Sequence, residues 1–431
     1  MAFKLVQEPL ELSEEAVADN VVIKYPWREH SNTLLSFPAL DVIHRSGQDD
    51  IVGLHHFTIL TACGIITGNK FNNGEVYLTH DRYGEDRVTT LRHDLLPPGF
   101  YYLQVKGSLL PRPDTSVTAG TSSGAGITNQ PTPPDPYPII PCFSDWDFPH
   151  GNVPQEWKPT SNRPLESMDR CIITAAKVTP LDNAHIIPYA NKDWYDNNSM
   201  SDSLSSNVDR SVNSGYNIIR LRSDLHRLFN GGFYVFAPKP LYVNSGPRPG
   251  QSLPQQQPST AERPEFGFAI HFLDKENVGP YIKSYHNVSP NQVDLSGRCF
   301  DFLFARFALV LFRNLRCFLQ TQDNVYVSWI KVDSTTGRRS REATWKTAKQ
   351  LEAHWRKNGE TSKGGTKRRR TDGQNGGQAA NGEVFSFEWG SQSDSDSDLE
   401  LDSEGSDRGT PRQRSMEFDT ESEVPPLPLP C

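Results

Sequence analysis

Short apolar runs separated by polar turns dominate the first 106 residues of the chain. The runs VVIKYPW, VYLTH and GFYYLQV are rich in β-branched and aromatic residues, and Gly, Pro, Asp or Asn bound them. No run with the apolar spacing of a helix stands out in this part. The pattern predicts a β-rich N-terminal domain over residues 1–106.

The apolar pattern fades over residues 107–168 and returns over residues 169–325. The first segment holds PRPDTSVTAGTSSGAGITNQPTPPDPYP, a Pro-, Ser- and Gly-rich composition typical of a linker. The second is interrupted by NNSMSDSLSSNVDRSVNSG and SGPRPGQSLPQQQPSTAERP, which we expect to be surface loops. Its most apolar run, residues 300–312, contains Asp301 and Arg306 and is too short for a bilayer, so it predicts a buried helix and no membrane segment.

A strand and a basic, aromatic helix are predicted for residues 326–359. VYVSWIKV has the composition of a strand, and the helix is expected to begin at Ser340 and to end at the Asn-Gly pair of residues 358–359. The helix would carry an apolar stripe formed by Trp345, Ala348, Leu351 and Trp355. We interpret the stripe as packing. Basic residues alternating with aromatic ones are also a pattern that contacts nucleic acid.

Residues 360–431 are predicted to be a disordered tail, basic at first and then acidic. KRRR at 367–370 indicates a nuclear-import signal, otherwise a phosphate-contacting patch or a solvated run. We therefore expect a nuclear location, with the cytoplasm as the alternative. The tract SDSDSDLELDSEGSD is either a phosphorylation target or a solubilising segment, and VPPLPLP is polyproline-like. Protein partners could bind this tail.

The acidity of the chain is concentrated in its tail. The formal net charge is −8, but residues 381–431 hold 13 acidic and 3 basic residues, which leaves 41 basic and 39 acidic residues, a net of +2, before them. A near-neutral body neither supports nor excludes nucleic-acid binding, which would need a local basic patch.

The spacing of the six cysteines and the composition of the first residues limit the classes of protein to which the chain could belong. No two cysteines have the C-x-x-C spacing, which argues against a four-cysteine zinc knuckle. MAFKLVQEPLELSEE has no apolar stretch of a secretory signal, so reduced thiols of the cytosol or nucleus are expected. With 431 residues, 35% of them apolar, the chain can form the cores of more than one domain.

One segment combines strand and helix signals with side chains that could carry chemistry. In CIITAAKVTPLDNAHIIPYAN, His185 lies inside an apolar, strand-like run. In NIIRLRSDLHRLFNGGFYVFAP, a strand begins at Asn217, a short helix follows with Ser223 as its N-cap, and two glycines end it. The predicted order is strand, long loop, strand, helix, and then a further strand.

Pairing of the first two strands would bring His185 and His226 to the same end of this unit. Asn230 lies four residues after His226, on the same face of the helix. One imidazole can bind a divalent cation, and another, kept neutral, can take a proton from water. The cation would stabilise the charge that develops on a phosphate oxygen. The pattern is typical of metal-assisted hydrolysis.

AHIIP followed by NIIRLRSDLHRLFN resembles the motifs of the HNH endonucleases, whose core is a ββα-metal finger, and CIIT is similar to their Cys-x-x-Thr lead-in. The likeness covers residues 171–238 and extends, more loosely, to HNH proteins common in fungal genomes. It implies an α+β fold, a Mg²⁺ or other divalent ion, and DNA as the substrate. His185 would be the general base, Asn217 would hold the loop and orient His185 through its amide, and His226, assisted by Asn230, would bind the metal.

Two positions depart from the family pattern. Ala184 stands where many HNH nucleases have a metal-binding His, Asp or Glu, so Asp182 or a backbone group would have to compensate. Asn230 stands where this branch has an acid, and an amide brings no charge to a hard cation. The first hypothesis is a metal-dependent DNA endonuclease. The alternative is a catalytically degenerate HNH scaffold that serves as a nuclear nucleic-acid-binding or protein-interaction module.

Two other groups have reactive side chains, and we interpret both as structural. His55 and His56 lie in GLHHFTIL, a predicted strand, and no Asn and His follow at the spacing of the finger. Cys171 could act as a thiol nucleophile with His185, but no orienting arrangement is evident in the sequence.

Overall fold

The computed structural model describes most of the chain up to residue 357. The described segments are 19–43, 50–110, 136–158, 169–177, 180–204, 209–240, 266–275, 278–290, 300–321, 324–333 and 335–357. The basic cluster at 367–370 and the whole predicted tail lie outside them, as do residues 111–135 and 159–168 of the predicted linker. What the sequence predicts for those residues stays a prediction.

Helices and strands are mixed along the described residues, which confirms the predicted α+β class. The strands are β1 (Asn20–Lys24), β2 (Thr33–Pro38), β3 (Asp41–Ile43), β4 (Ile51–His55), β5 (Val76–Thr79), β6 (Leu95–Leu96), β7 (Gly99–Val105), β8 (Leu181–His185), β9 (Ile218–Arg222), β10 (Tyr234–Pro240), β11 (Phe266–Phe272), β12 (Val325–Val332) and β13 (Arg339–Lys346). The helices are α1 (His56–Ile66), α2 (Lys192–Asn197), α3 (Ser223–Gly231), α4 (Gly279–Tyr285), α5 (Phe300–Gln320) and α6 (Ala348–Lys357).

A four-stranded sheet is built from the apolar runs at the start of the chain. Its strand order is β2-β1-β7-β5, and β1 pairs parallel with β7 while the other pairs are antiparallel. Val21 and Ile23 are fully buried between half-buried neighbours, as the alternation of side chains along a strand requires. The three strands predicted here are confirmed. A smaller sheet has the order β3-β4-β6.

The predicted strand GLHHFTIL is wrong in its second half, because β4 ends at His55 and α1 begins at His56. Every residue of α1 except Leu60 is buried. A helix that is apolar all round shows no helical period, which is why the sequence pattern did not reveal it. Both imidazoles are buried and contact backbone carbonyls through Nδ1, at 3.3 Å from His93 and 2.9 Å from Thr90 respectively.

The long helix α5 lies at the centre of the core. It confirms the buried helix predicted for residues 300–312 and extends it to Gln320. It packs against β2, β10, α1 and α6. One hydrophobic core contains side chains from Val21 to Trp355, on both sides of the boundaries drawn at residues 106 and 168, and those boundaries stay a prediction. None of the described helices is long and apolar enough to cross a membrane.

The helix predicted to begin at Ser340 is wrong in its first half, which is strand β13. β13 pairs antiparallel with β12 and places Trp345 opposite Tyr326, with the two ring centroids 5.4 Å apart. Trp345 remains 52% exposed, so it does not share a buried stripe with Leu351 and Trp355. Cross-strand packing decides the conformation of this segment against its helical apolar spacing.

Helix α6 begins about two turns later than predicted, after Thr347. The Thr347 hydroxyl accepts a hydrogen bond from the Gln350 N–H at 3.3 Å, and the Gln350 side chain accepts one from the Thr347 N–H at 3.0 Å. This reciprocal pair is a capping box, which satisfies two N–H groups that have no partner within the helix. Thr347-x-x-Gln350 is therefore the start signal of α6.

Candidate active site

The strand–loop–strand–helix unit predicted from the sequence is present. β8 and β9 form an antiparallel pair in which Leu181 faces Arg222 and His185 faces Ile218. α3 follows β9 without a linker and packs back against both strands. The hairpin and helix together form a ββα unit over residues 181–231.

Helix α3 is fixed by its apolar face. Leu225 and Phe229 are fully buried, while His226 and Asn230 lie on the more exposed side. Ser223 is the first helical residue rather than the N-cap that the sequence predicts. Its hydroxyl donates to the Pro180 carbonyl at 3.3 Å, because the chain enters the helix directly from the strand.

The C-terminal end of α3 is held by groups outside the helix. Gly232 adopts the left-handed conformation, with φ of 79°, and its N–H donates to Phe229 at 2.9 Å. Two arginines of α5 donate to the last carbonyls, Arg306 to Phe229 and Arg313 to Asn230 at 2.9 Å. Cationic groups at this end oppose the negative end of the helix dipole.

Arg306 is an unusual anchor because it is itself buried. Its guanidinium lies 4.2 Å from the centroid of the Phe229 ring. Burial lowers the pKa of Arg306 well below its usual value, and the nearby Arg313 lowers it further. The sequence analysis noted Arg306 only as a charge inside an apolar run. Its contact with α3 could not be predicted, because 77 residues separate the bonded partners.

Asn217 joins the end of β8 to the start of β9. Its side chain is fully buried, its amide oxygen accepts from the Ile187 N–H at 2.8 Å, and its amide nitrogen donates to the carbonyls of Ile187 and Val212 at 2.8 and 2.7 Å. Its own carbonyl accepts from the Ile186 N–H at 2.7 Å. Asn217 therefore fixes the backbone just after His185 and does not bond to the imidazole.

The imidazole of His185 contacts a different asparagine. Nε2 lies 3.0 Å from the amide oxygen of Asn213, in the loop before β9. An Nε2–H that donates to Asn213 leaves the lone pair of a neutral ring on Nδ1. Asn213 was not predicted as a site residue, because nothing in the sequence of a polar loop distinguishes one asparagine from the next.

His226 makes one hydrogen bond through each ring nitrogen. Nδ1 lies 3.2 Å from a carboxylate oxygen of Asp182, and Nε2 lies 2.9 Å from the amide nitrogen of Asn230. Nδ1–H therefore donates to the carboxylate, and Nε2 accepts from the amide. A carboxylate behind one ring nitrogen is the arrangement that orients metal-binding histidines.

Asp182, His226 and Asn230 are thus in direct contact, whereas His185 lies apart from them. On β8 the side chains of Asp182 and Ala184 point to one face and that of His185 to the other. Asp182 and His185 are three positions apart on β8, which is roughly 10 Å along the strand. A substrate would have to lie across the end of β8 to meet both groups.

Residues 171–236 match the family described as HNH endonuclease. This segment belongs to the HNH endonuclease family. The match covers β8, β9, α3 and the loop that carries Asn213, and it does not extend to the rest of the chain. Comparison with curated proteins gives no match, and comparison with solved structures gives none either.

The two departures of the HNH segment from the family pattern can now be placed. Ala184 is fully buried. Asp182 lies two residues earlier on the same face of β8, and its side chain is 40% exposed. HNH domains generally use a divalent metal, and the residues present could hold one through Nε2 of His226 and the amide oxygen of Asn230, with Asp182 behind the ring. This set offers fewer charged ligands than hard cations prefer.

A second cluster of histidine and aspartate lies outside the HNH ββα unit, in the core. The Lys239 ammonium contacts both carboxylate oxygens of Asp41, at 2.7 and 2.5 Å, and Nδ1 of His271 at 3.0 Å. His286 Nε2 lies 3.1 Å from Asp41. All four side chains are buried. Burial raises the pKa of Asp41, but the Lys239 ammonium and the His286 hydrogen bond outweigh it and hold this pKa well below its usual value.

Although Asp41, His271 and His286 place three potential ligand atoms within 4.8 Å of one another, this cluster needs no metal. The ammonium of Lys239 already supplies the positive charge between them. The cluster joins β3 to β10 and β11 and is a structural ion pair of the core.

Proposed function

We propose that this protein is a metal-dependent endonuclease that hydrolyses DNA phosphodiester bonds with its HNH segment. The observation that carries the proposal is the pairing of His226 Nδ1 with the Asp182 carboxylate. This contact fixes the tautomer and aims Nε2 away from the strand, toward Asn230.

In this proposal His185 accepts a proton from the attacking water through Nδ1, since Nε2–H is committed to Asn213. Asn217 is a positioning residue. It fixes the peptide groups of Ile186 and Ile187, and so the end of β8 that carries His185. A divalent ion held by His226 and Asn230 would stabilise negative charge on the phosphate oxygens and the leaving group.

A basic hairpin supports nucleic acid as the substrate class. Residues 325–357, which form β12, β13 and α6, contain eight basic residues and three acidic ones. The basic residues are Lys331, Arg338, Arg339, Arg341, Lys346, Lys349, Arg356 and Lys357. The exposed ring of Trp345 lies on the same hairpin, and an aromatic ring among basic side chains can stack on bases.

The first test is cleavage of supercoiled plasmid by the full chain with Mg²⁺ or Mn²⁺, comparing His185→Ala with His30→Ala, an exposed histidine outside the HNH segment. We expect His185→Ala to lower the rate by about 10²–10⁴-fold, the usual contribution of a general base, and His30→Ala to leave it unchanged.

Two results would contradict the proposal. Equal rates for the two variants would remove His185 from the mechanism. Wild-type protein that binds DNA but neither takes up a divalent ion in calorimetry nor cleaves plasmid would identify the segment as a binding scaffold.

A further inference from the structure

Cys142 and His354, from two distant parts of the chain, meet at the carboxylate of Asp145. The Cys142 thiol donates to Asp145 Oδ2 at 2.9 Å, and His354 Nε2 lies 2.7 Å from the same oxygen. Their three ligand atoms lie within 4.8 Å of one another. Cys142 precedes the 3-10 turn Phe143–Asp145, and His354 lies on α6, so 209 residues separate the last pair.

This cluster is buried, and His354 is the only ion-pair partner of its carboxylate among the described residues. Cys142 and Asp145 are each 1% exposed, and the His354 side chain is 13% exposed. The other carboxylate oxygen accepts only from a backbone N–H, that of Ile330 at 2.8 Å. Within the described segments no lysine or arginine forms an ion pair with this carboxylate. A buried carboxylate needs a compensating charge. Asp41 has one in Lys239, whereas the partner of Asp145 is His354, which is charged only when protonated.

We propose that Cys142, Asp145 and His354 bind a zinc ion. A thiolate sulfur, an imidazole nitrogen and a carboxylate oxygen are the three kinds of ligand that zinc takes in proteins. Zinc–ligand bonds of about 2.0–2.3 Å in a tetrahedron put neighbouring ligand atoms about 3.3–3.7 Å apart. Small side-chain movements reach this spacing from the present contacts.

Zinc would replace the two protons that now bridge the cluster. The Cys142 thiol would release its proton to solvent, and the neutral His354 ring would carry its proton on Nδ1 instead of Nε2. The sulfur and Nε2 would then bond to the ion beside Asp145, where they now donate to its carboxylate. The Ser144 hydroxyl lies 3.2 Å from the Cys142 sulfur, and this hydroxyl or a water would be the fourth ligand.

The position of the cluster defines what the zinc would do. The turn that carries Asp145 continues into Trp146, whose ring stacks on the Trp194 ring of α2 with the centroids 5.6 Å apart. The Trp194 indole N–H also donates to the Trp146 carbonyl at 2.7 Å. Trp194 belongs to the HNH segment. On the other side, α6, which carries His354, is the last element of the basic hairpin of residues 325–357. The ion would therefore fasten this hairpin to the HNH segment, a structural role separate from the metal of His226.

The test uses the full chain, stripped with chelator and reloaded with Zn²⁺ or Co²⁺ alone. We expect one ion per chain that gives the charge-transfer absorption of a cobalt–thiolate bond. Cys142→Ser should abolish this band. Cys317→Ser, at an exposed cysteine, and His226→Ala, at the HNH site, should keep it.

His354→Gln covers the case in which Cys142→Ser does not fold. Loss of a direct ligand should raise the Kd for zinc by more than the roughly 10–100-fold that loss of an outer-shell partner costs. Zinc should raise the unfolding temperature of wild-type protein and of Cys317→Ser, but not that of His354→Gln. A cobalt spectrum without a thiolate band, or a zinc affinity that His354→Gln leaves unchanged, would overturn the proposal.

Discussion

The HNH segment and the core cluster each contain a histidine–aspartate contact, but the two contacts differ in burial and in the number of partners. In the core, Asp41 is completely buried and accepts from both Lys239 and His286. In the HNH segment, Asp182 accepts from His226 alone, and its side chain is 40% exposed. A histidine–aspartate contact is structural where solvent is absent and every group is paired. It can serve chemistry where the outer ring nitrogen faces a space that a ligand can enter.

The comparison predicts very different costs for the same change at the two aspartates. Asp41→Asn leaves the Lys239 ammonium buried without its carboxylate, which should lower the free energy of unfolding by about 3–5 kcal/mol. Asp182→Asn removes a partly exposed contact and should cost less than about 1 kcal/mol. Urea unfolding at pH 7 measures both.

Equal losses at Asp41 and Asp182 would show that the two contacts do not differ in their contribution to stability. Asp41→Leu combined with Lys239→Met removes both charges of the core pair and so leaves neither unpaired. This double variant should be more stable than Asp41→Asn alone.

The second prediction concerns acid, because the folded core keeps its histidines neutral. Burial lowers the pKa of His55 to about 4, and burial also lowers the pKa values of His271 and His286. A depressed pKa contributes stability that is present above the unfolded value near 6.5 and is lost as the pH falls toward 4. At pH 5 His55 alone should cost about 2 kcal/mol relative to pH 7.

Urea unfolding curves at pH 7, 6 and 5, followed by tryptophan fluorescence, measure this loss. The charges that face His55 are Asp41 and Lys239, which act in opposite directions and leave burial as the largest effect. A stability that is unchanged or higher at pH 5 would show that the core histidines are already charged in the folded protein.

The smallest predicted effect concerns metal affinity at His226 and Asn230 of the HNH segment. Asn230→Asp would place a carboxylate beside Nε2 of His226 and should raise the affinity for Mg²⁺ about tenfold, because hard cations prefer charged oxygen ligands. Calorimetric titration measures the change. Asn183→Asp is the matched control, since it adds the same charge to an exposed position of β8. A similar gain in both variants would indicate general electrostatic attraction and no site at His226.

Apolar runs and turn residues in the sequence predicted the elements whose conformation depends on residues close to them in the chain. The order of β8, β9 and α3 follows from short apolar runs and a pair of glycines, and the residues that point to the HNH family lie within these elements or close to them in the sequence. α1 escaped prediction because a helix buried on every side has no polar face. β13 escaped because its partner across the hairpin outweighs its own helical spacing.

The contacts that complete the candidate site could not be predicted in this way. Arg306 reaches Phe229 across 77 residues, and Lys239 reaches Asp41 across 198. No spacing rule connects residues so far apart. Asp182 was considered as a substitute for the ligand missing at Ala184, and its contact with the His226 ring emerges only when β8 and α3 are packed together.

The two arginines on α5 bear on how small a working piece of this protein could be. Residues 171–236 contain the whole ββα unit, but the groups that close the end of α3 come from residues 306 and 313. A fragment cut at the family boundary would leave those carbonyls without their arginine partners. We therefore expect stable folding of the HNH segment to need the chain at least through α5, beyond the boundary of the family match.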